Sequence, residues 1–291
     1  MGVKKNKNLR RQRIIVSLII MLIVLIIIFG AIFAYLYSQN YITYGPINRL
    51  DNAEQVESSV IKDADIIILN NVLLGGVNKN TWISANKMYE KVMAERNVEI
   101  NMYSAEGNLG KFETASFKNS GDFIYTTTTK VPTPEEYIAV GNASTTPRYM
   151  MLDESQPTEN DIKNVKRVLG KYNLLNGTVN IVECYRTSFT NGELGRIYSV
   201  TSDGANIFGV YSAVVFSKGK ESCLIKYSYV KDTELSSAWP VYDIKHVIDI
   251  NGDGRCELIL QETTASEINY LVEEYVDNGT FNEVLKVTID I

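Results

Sequence analysis

The sequence predicts an α+β fold: a mostly antiparallel β ectodomain, a sheet or sandwich with a covering helix, behind one N-terminal transmembrane helix. Three observations carry this expectation. Residues 14–37 contain no charged side chain over 24 positions. From residue 178 to the end, short apolar runs recur at about ten-residue intervals between turn residues, the pattern of an antiparallel meander. Between these two regions, residues 158–170 carry one amphipathic helical stripe.

The N-terminal segment is read from charge and length. Residues 1–13 hold Lys4, Lys5, Lys7, Arg10, Arg11 and Arg13 and no acid. A span needs about 20 apolar residues, so residues 14–37 suffice with some tilt. A cleaved signal peptide has a shorter core, about 7–15 residues, and ends in a small-residue cleavage site. Here Ala31 and Ala34 are followed by Tyr35, Leu36 and Tyr37, which favours a retained signal anchor. The basic flank stays in the cytoplasm and the C-terminal part lies outside the cell membrane. With −5 over the whole chain and +6 in the tail, the remainder carries −11. Such an acidic ectodomain repels phosphate backbones, which argues against a nucleic-acid partner.

About 250 residues follow the span, enough for a real hydrophobic core. Residues 38–64 are polar and weakly patterned and read as a stalk with a short helix. Residues 65–157 form a first β-rich piece. Ile66, Ile67, Ile68 and Leu69 make a buried strand, with Asn70-Asn71 and Gly75-Gly76 as turns after it. Residues 84–95 are helical, capped by Ser84, with Met88, Val92 and Met93 along one side. Short strands then run from 98 to 140, broken at Glu106-Gly107-Asn108, Asn119-Ser120-Gly121 and Pro132-Thr133-Pro134. Residues 148–152 add one more strand.

Residues 158–291 form a helix plus an antiparallel β domain. Thr158 caps the helix, Asp161 completes a capping-box variant, and Gly170 stops it. Ile162, Val165, Val168 and Leu169 form a stripe that covers a sheet. Strands are expected over 178–189, 196–201, 206–216, 222–230, 241–250, 257–261, 267–276 and 281–289. Cys184, Cys223 and Cys256 all fall inside them. Three cysteines make no disulfide framework and are read as buried free thiols, the alternative being one pair oxidised outside the cell.

The chemistry concentrates in residues 249–257, Asp-Ile-Asn-Gly-Asp-Gly-Arg-Cys-Glu, between two apolar strands. Asp249, Asn251, Asp253 and Glu257 stand at positions 1, 3, 5 and 9 of a tight loop. Alternate side chains turn inward, the Arg255 carbonyl can act at position 7, and Gly254 permits the bend at position 6. A hard cation such as Ca2+ takes six to eight oxygens at about 2.3–2.6 Å, and such a loop can supply most of them. An EF-hand is excluded, because position 12 is Leu260 and the flanks read as strands. The alternative is a plain Asn-Gly-Asp-Gly hairpin turn, which needs neither Asp249 nor Glu257.

The D-x-N-x-D-G-x-x-E pattern between strands resembles the calcium loop of FG-GAP repeats, found in integrin α-subunit propellers and many bacterial surface proteins. The resemblance covers residues 241–270. It implies Asp249, Asn251, Asp253 and Glu257 as side-chain ligands and Arg255 as a carbonyl ligand, with Glu257 replacing the more usual Asp. Ser188-Phe189-Thr190-Asn191-Gly192, 61 residues earlier, is a degenerate echo or a chance turn; two units cannot close a propeller.

No nucleophile, zinc-protease or phosphate-loop motif accompanies the only histidine, His246, which reads as a strand surface or packing residue. Asp161, Glu183, Glu193 and Glu262 read as solvated charges. The expectation is therefore a membrane-anchored extracytoplasmic calcium-binding module, not an enzyme, with a structural role or an interaction role towards a protein or cell-envelope partner. The alternatives are a hydrolase of envelope polymers, or an extracytoplasmic sensor domain, with calcium only stabilising the fold.

Overall fold

In the computed structural model, described residues are 58–127, 136–141, 146–175, 177–190, 194–202, 210–218, 221–230, 240–277 and 279–291. The basic tail, the apolar 14–37 segment and most of the expected stalk lie outside them, as does the Pro132–Pro134 turn. Among the described residues, no helix is long and apolar enough to cross a membrane. The last residues of the expected stalk form α1 (Ser58–Lys62). Its Val60 and Ile61 pack on the core, and Ala64 just beyond is fully buried.

The first sheet begins with β1 (Asp65–Leu69) and β2 (Val72–Asn78), joined by Asn70 and Asn71 at φ 46° and 76°. Two consecutive left-handed residues make the hairpin turn whose twist matches the strands, and asparagine tolerates that conformation. Next come β3 (Thr81–Ser84), the helix α2 (Ala85–Ala94), and strands β4 (Glu99–Ser104) and β5 (Gly107–Glu113). The short β6 (Lys118–Asn119) and β7 (Ile124–Tyr125) follow, then β8 (Ile138–Gly141). The order is β5-β4-β8-β1-β2-β7-β6, with β3 on β2, and every pairing is antiparallel.

Gly75 and Gly76 are not a turn; they lie inside β2. A Cβ on Gly75 would stand 2.3 Å from the Ile83 carbonyl and 3.0 Å from Leu285, and one on Gly76 2.7 Å from Met88. These glycines let a strand, a second sheet and a helix approach one backbone closely. In α2, Met88 and Val92 are buried as expected, but Met93 is 40% exposed. It sits one residue past Val92 and so about 100° round the helix from it.

After β9 (Arg148–Met150) and β10 (Asp153–Glu154) comes α3 (Glu159–Lys171). The outer sheet is then completed by β11 (Val179–Ser188), β12 (Leu194–Ser202), β13 (Val210–Lys218) and β14 (Glu221–Val230), in the order β10-β11-β12-β13-β14. Strands β15 (Val241–Asp249), β16 (Glu257–Thr263), β17 (Glu267–Tyr275) and β18 (Phe281–Asp290) form a middle sheet, with β9 on its β15 edge. Both sheets are antiparallel meanders, and the described residues are β-rich with few helices.

The middle sheet is buried on both faces. Ile248, Ile259, Val272, Leu285 and Val287 join the core of the first sheet. Val247, Leu258, Leu260, Leu271, Tyr275 and Phe281 pack against Phe189, Val214 and Phe216 of the outer sheet side. Successive strand residues point to opposite faces, so a continuous run such as Leu258-Ile259-Leu260 requires cover on both sides. Residues 65–157 and 158–291 thus share one core.

The helix α3 covers the outer sheet, placing Val165, Val168 and Leu169 against Tyr198, Val200, Tyr211 and Val215. Two expectations need correction. Ile162 is 40% exposed, whereas Asp161 is buried. The capping box is complete: Asp161 N donates to Thr158 Oγ1 (3.3 Å), and Thr158 N donates to Asp161 Oδ2 (2.7 Å). Arg196 (2.6 Å) and the Tyr198 hydroxyl (2.7 Å) also donate to Asp161. These bonds turn Asp161 towards the sheet and Ile162 away. Burial alone would raise the Asp161 pKa, but the bonds from Thr158 and Tyr198 and the Arg196 charge hold it below the usual range. All three cysteines are free; Cys184 and Cys256 are buried as expected, whereas Cys223 is only half-buried.

Candidate metal centre

The β15–β16 hairpin carries the 249–257 loop. Ile248 pairs with Glu257, so Asp249 leaves β15 where Glu257 enters β16. Asp249 Oδ1 accepts from Gly252 N (2.8 Å) and its Oδ2 from Gly254 N (3.1 Å). Asn251 Oδ1 accepts from Asp253 N (3.1 Å), and Asp253 Oδ1 from Arg255 N (2.8 Å). Glu257 Oε2 accepts from Ile250 N at 2.8 Å. Gly252 and Gly254 sit at φ 72° and 89°, where a side chain would be strained. The loop is thus closed by carboxylate and amide oxygens that draw its backbone inward.

Glu257 is fully buried, Asp249 is 4% exposed and Asn251 8%, while Asp253 is exposed. Glu257 Oε1 is buried without a hydrogen-bond partner. Burial drives the Glu257 pKa well above the usual carboxylate range against the Ile250 N–H bond, and Asp249, Glu274 and Asp253 push it further up. Burial raises Asp249 too, while the Gly254 and Gly252 N–H groups and Arg148 act against it. Among the described residues, no three His, Cys, Asp or Glu side chains are gathered tightly enough to hold an ion as they stand. Each loop carboxylate is engaged with backbone N–H groups.

Several neighbours arrive from distant parts of the chain and were invisible to spacing arguments. An Arg148 guanidinium nitrogen donates to the Gly254 carbonyl at 3.4 Å, and Cys256 N donates to the Phe189 carbonyl at 2.9 Å. Asn251 Nδ2 faces Asn80 Oδ1 at 3.5 Å, and Trp82 Nε1 donates to Glu274 Oε1 at 3.3 Å. Burial pushes the Cys256 thiol up to about 12, so it stays neutral and is a poor ligand. The Ser188–Thr190 tip packs beside the loop through Phe189; Asn191, Gly192 and Glu193 lie outside the described residues.

The other acids are not simple solvated charges. Glu183 accepts from Ile244 N at 3.0 Å, across the gap between β11 and the bulged edge of β15. Glu262 is buried and accepts from the Tyr242 hydroxyl (3.1 Å), from Asn269 Nδ2 (3.0 Å) and from the Ser228 hydroxyl. Both stitch the outer and middle sheets together.

His246 is 1% exposed, with Nδ1 3.1 Å from the Tyr149 hydroxyl and Nε2 buried without a partner. Burial, aided by Lys245, pushes its pKa down to about 3. A depressed histidine pKa gives stability that is present above 6.5, the unfolded value, and is lost as pH falls towards about 3. As the chain has one histidine, its imidazole C2–H signal can be followed by NMR without assignment. It should show no titration near pH 6.5 while the protein stays folded; a midpoint there would contradict the packing role. No family model, curated protein or solved structure matches this chain.

Proposed function

We propose that this chain is a membrane-anchored extracytoplasmic module whose 249–257 loop binds one calcium ion through Asp249, Asn251, Asp253, Glu257 and the Arg255 carbonyl. The ion acts structurally, fixing the hairpin for contact with a protein or cell-envelope partner. The observation that carries this reading is the fully buried Glu257 with its unpartnered Oε1. A carboxylate removed from water must take up a proton or meet a cation. Beside it stands Asp249, also buried and shifted upwards, and one divalent ion relieves both at once. The oxygen-only ligand set suits Ca2+ over Zn2+, and the unequal arms suit Ca2+ over the stricter octahedral Mg2+. The anchor rests on the basic flank and the uncharged residues 14–37. The −11 charge beyond them disfavours nucleic acid and supplies no substrate chemistry.

Thermal unfolding of the full chain in detergent tests the reading. A ligand that binds only the folded state adds about 2.7 kcal/mol at one hundred times its dissociation constant. Melting should therefore be higher in millimolar Ca2+ than in chelator, with Mg2+ less effective. Asp249→Ala or Asp253→Ala should abolish the difference, and Glu257→Gln should weaken it. Extracellular sites bind at about 0.1–1 mM, so equal melting with and without about 10 mM Ca2+ would overturn the proposal.

A further inference from the structure

We infer that Glu274 belongs to the same cation site, as a ligand supplied by β17, and that it ties the ion to Trp82 of the first sheet. The inference rests on the calcium reading and adds to it a residue outside the loop. In the β16–β17 ladder, Glu257 and Glu274 are directly opposed. Directly opposed side chains share one face of a sheet, and like charges in that position repel. The next pair on that face, Ile259 and Val272, belongs to the core shared with the first sheet, so the two carboxylates also face that sheet. There Trp82, on β3, donates its indole N–H to Glu274 Oε1 at 3.3 Å.

A like-charged pair with one member fully buried and the other half-buried is a poor choice for a strand ladder unless something positive stands between its members. The buried Glu257 Oε1, without a hydrogen-bond partner, is the atom such a cation would reach first. With Oε1 of Glu274 held by the indole, its second oxygen is the one available to the ion. Calcium takes up to eight oxygens and tolerates ligands from separate segments, whereas the loop offers four side chains and one carbonyl. A glutamate from the next strand supplies a further place. The indole bond then makes the first sheet respond to the ion.

The test uses the full chain in detergent with Trp239→Phe, which leaves Trp82 as its only tryptophan. Calcium titration should change Trp82 emission saturably, with the affinity measured in parallel by calorimetry. Adding Glu274→Gln keeps an oxygen to accept the indole bond but removes the charge. It should weaken calcium about tenfold or more and abolish the emission change, with melting in chelator no lower, because one of two opposed like charges is gone. Equal affinity in the two proteins would overturn the role of Glu274 and leave the loop reading intact. Absence of any calcium binding in the Trp239→Phe parent would overturn both. Terbium gives a reading that needs no change at Glu274: exciting Trp82 in the parent should give sensitised emission that calcium displaces. Bound terbium without sensitised emission would overturn the link to Trp82.

Discussion

Leu169→Ala should destabilise the protein by about 2–5 kcal/mol, the usual cost of removing a fully buried leucine and leaving a cavity. Leu169 has no exposed surface and lies with Val165 and Val168 on Val200, Tyr211 and Val215 of the outer sheet. Its carbonyl also accepts from Tyr172 N and Leu174 N, so the residue closes the C-terminal end of α3 as well. For a unit of this size each kcal/mol moves the melting temperature by about 2–4 °C. Ile162→Ala, on the exposed side of the same helix, should stay within about 0.5 kcal/mol. Similar losses for the two variants would mean that α3 is rotated from the position described.

Lys226→Ala should cost nearly as much, by a different route. The ammonium bridges the outer and middle sheets, 2.7 Å from Glu283 Oε2 and 3.0 Å from Glu273 Oε1. The Glu273 contact is an ion pair by distance without the geometry of a hydrogen bond, and its side chain is only 2% exposed. Removing one partner of a buried pair costs about 3–5 kcal/mol, because the remaining charge has no water to turn to. The lower end applies, since Lys226 keeps 26% of its side chain exposed. Burial, partly offset by Lys226, pushes the Glu273 pKa up to about 7. A raised folded pKa means stability that is present below 4.5, the unfolded value, and lost as pH rises through about 7. Without Lys226 that loss should be steeper above neutrality, and Lys226→Met with Glu273→Leu should recover most of the stability. A loss under about 1 kcal/mol for Lys226→Ala would show that the triad is effectively solvated.

How much of this fold the sequence disclosed depends on whether a feature is local. The strands of the two meanders and the Thr158 capping box were legible because apolar alternation, turn residues and caps act within a few positions. Gly75 and Gly76 misled for the opposite reason: their use is steric, set by Ile83, Leu285 and Met88. Ile162 fitted the helical stripe as well as Leu169 did. The bonds from Arg196 and Tyr198 to Asp161 put that residue, rather than Ile162, on the inward side of the first turn of α3. The loop itself was readable from its spacing, down to the need for glycine at position 254. Its surroundings were not, because Asn80, Trp82 and Arg148 reach it through sheet packing rather than along the chain. Glu274 lies between: counting the β16–β17 register across the hairpin would have set it opposite Glu257.

The most direct measurement is anomalous diffraction from crystals of the full chain grown with about 10 mM Ca2+, above the usual range of extracellular sites. One anomalous peak is expected at the loop, with oxygens of Asp249, Asn251, Asp253, Glu257 and the Arg255 carbonyl at about 2.3–2.6 Å. The same crystals of Asp249→Ala should lack it. A loop that keeps its backbone N–H bonds with no peak in the wild-type crystals would reduce residues 249–257 to a hairpin turn.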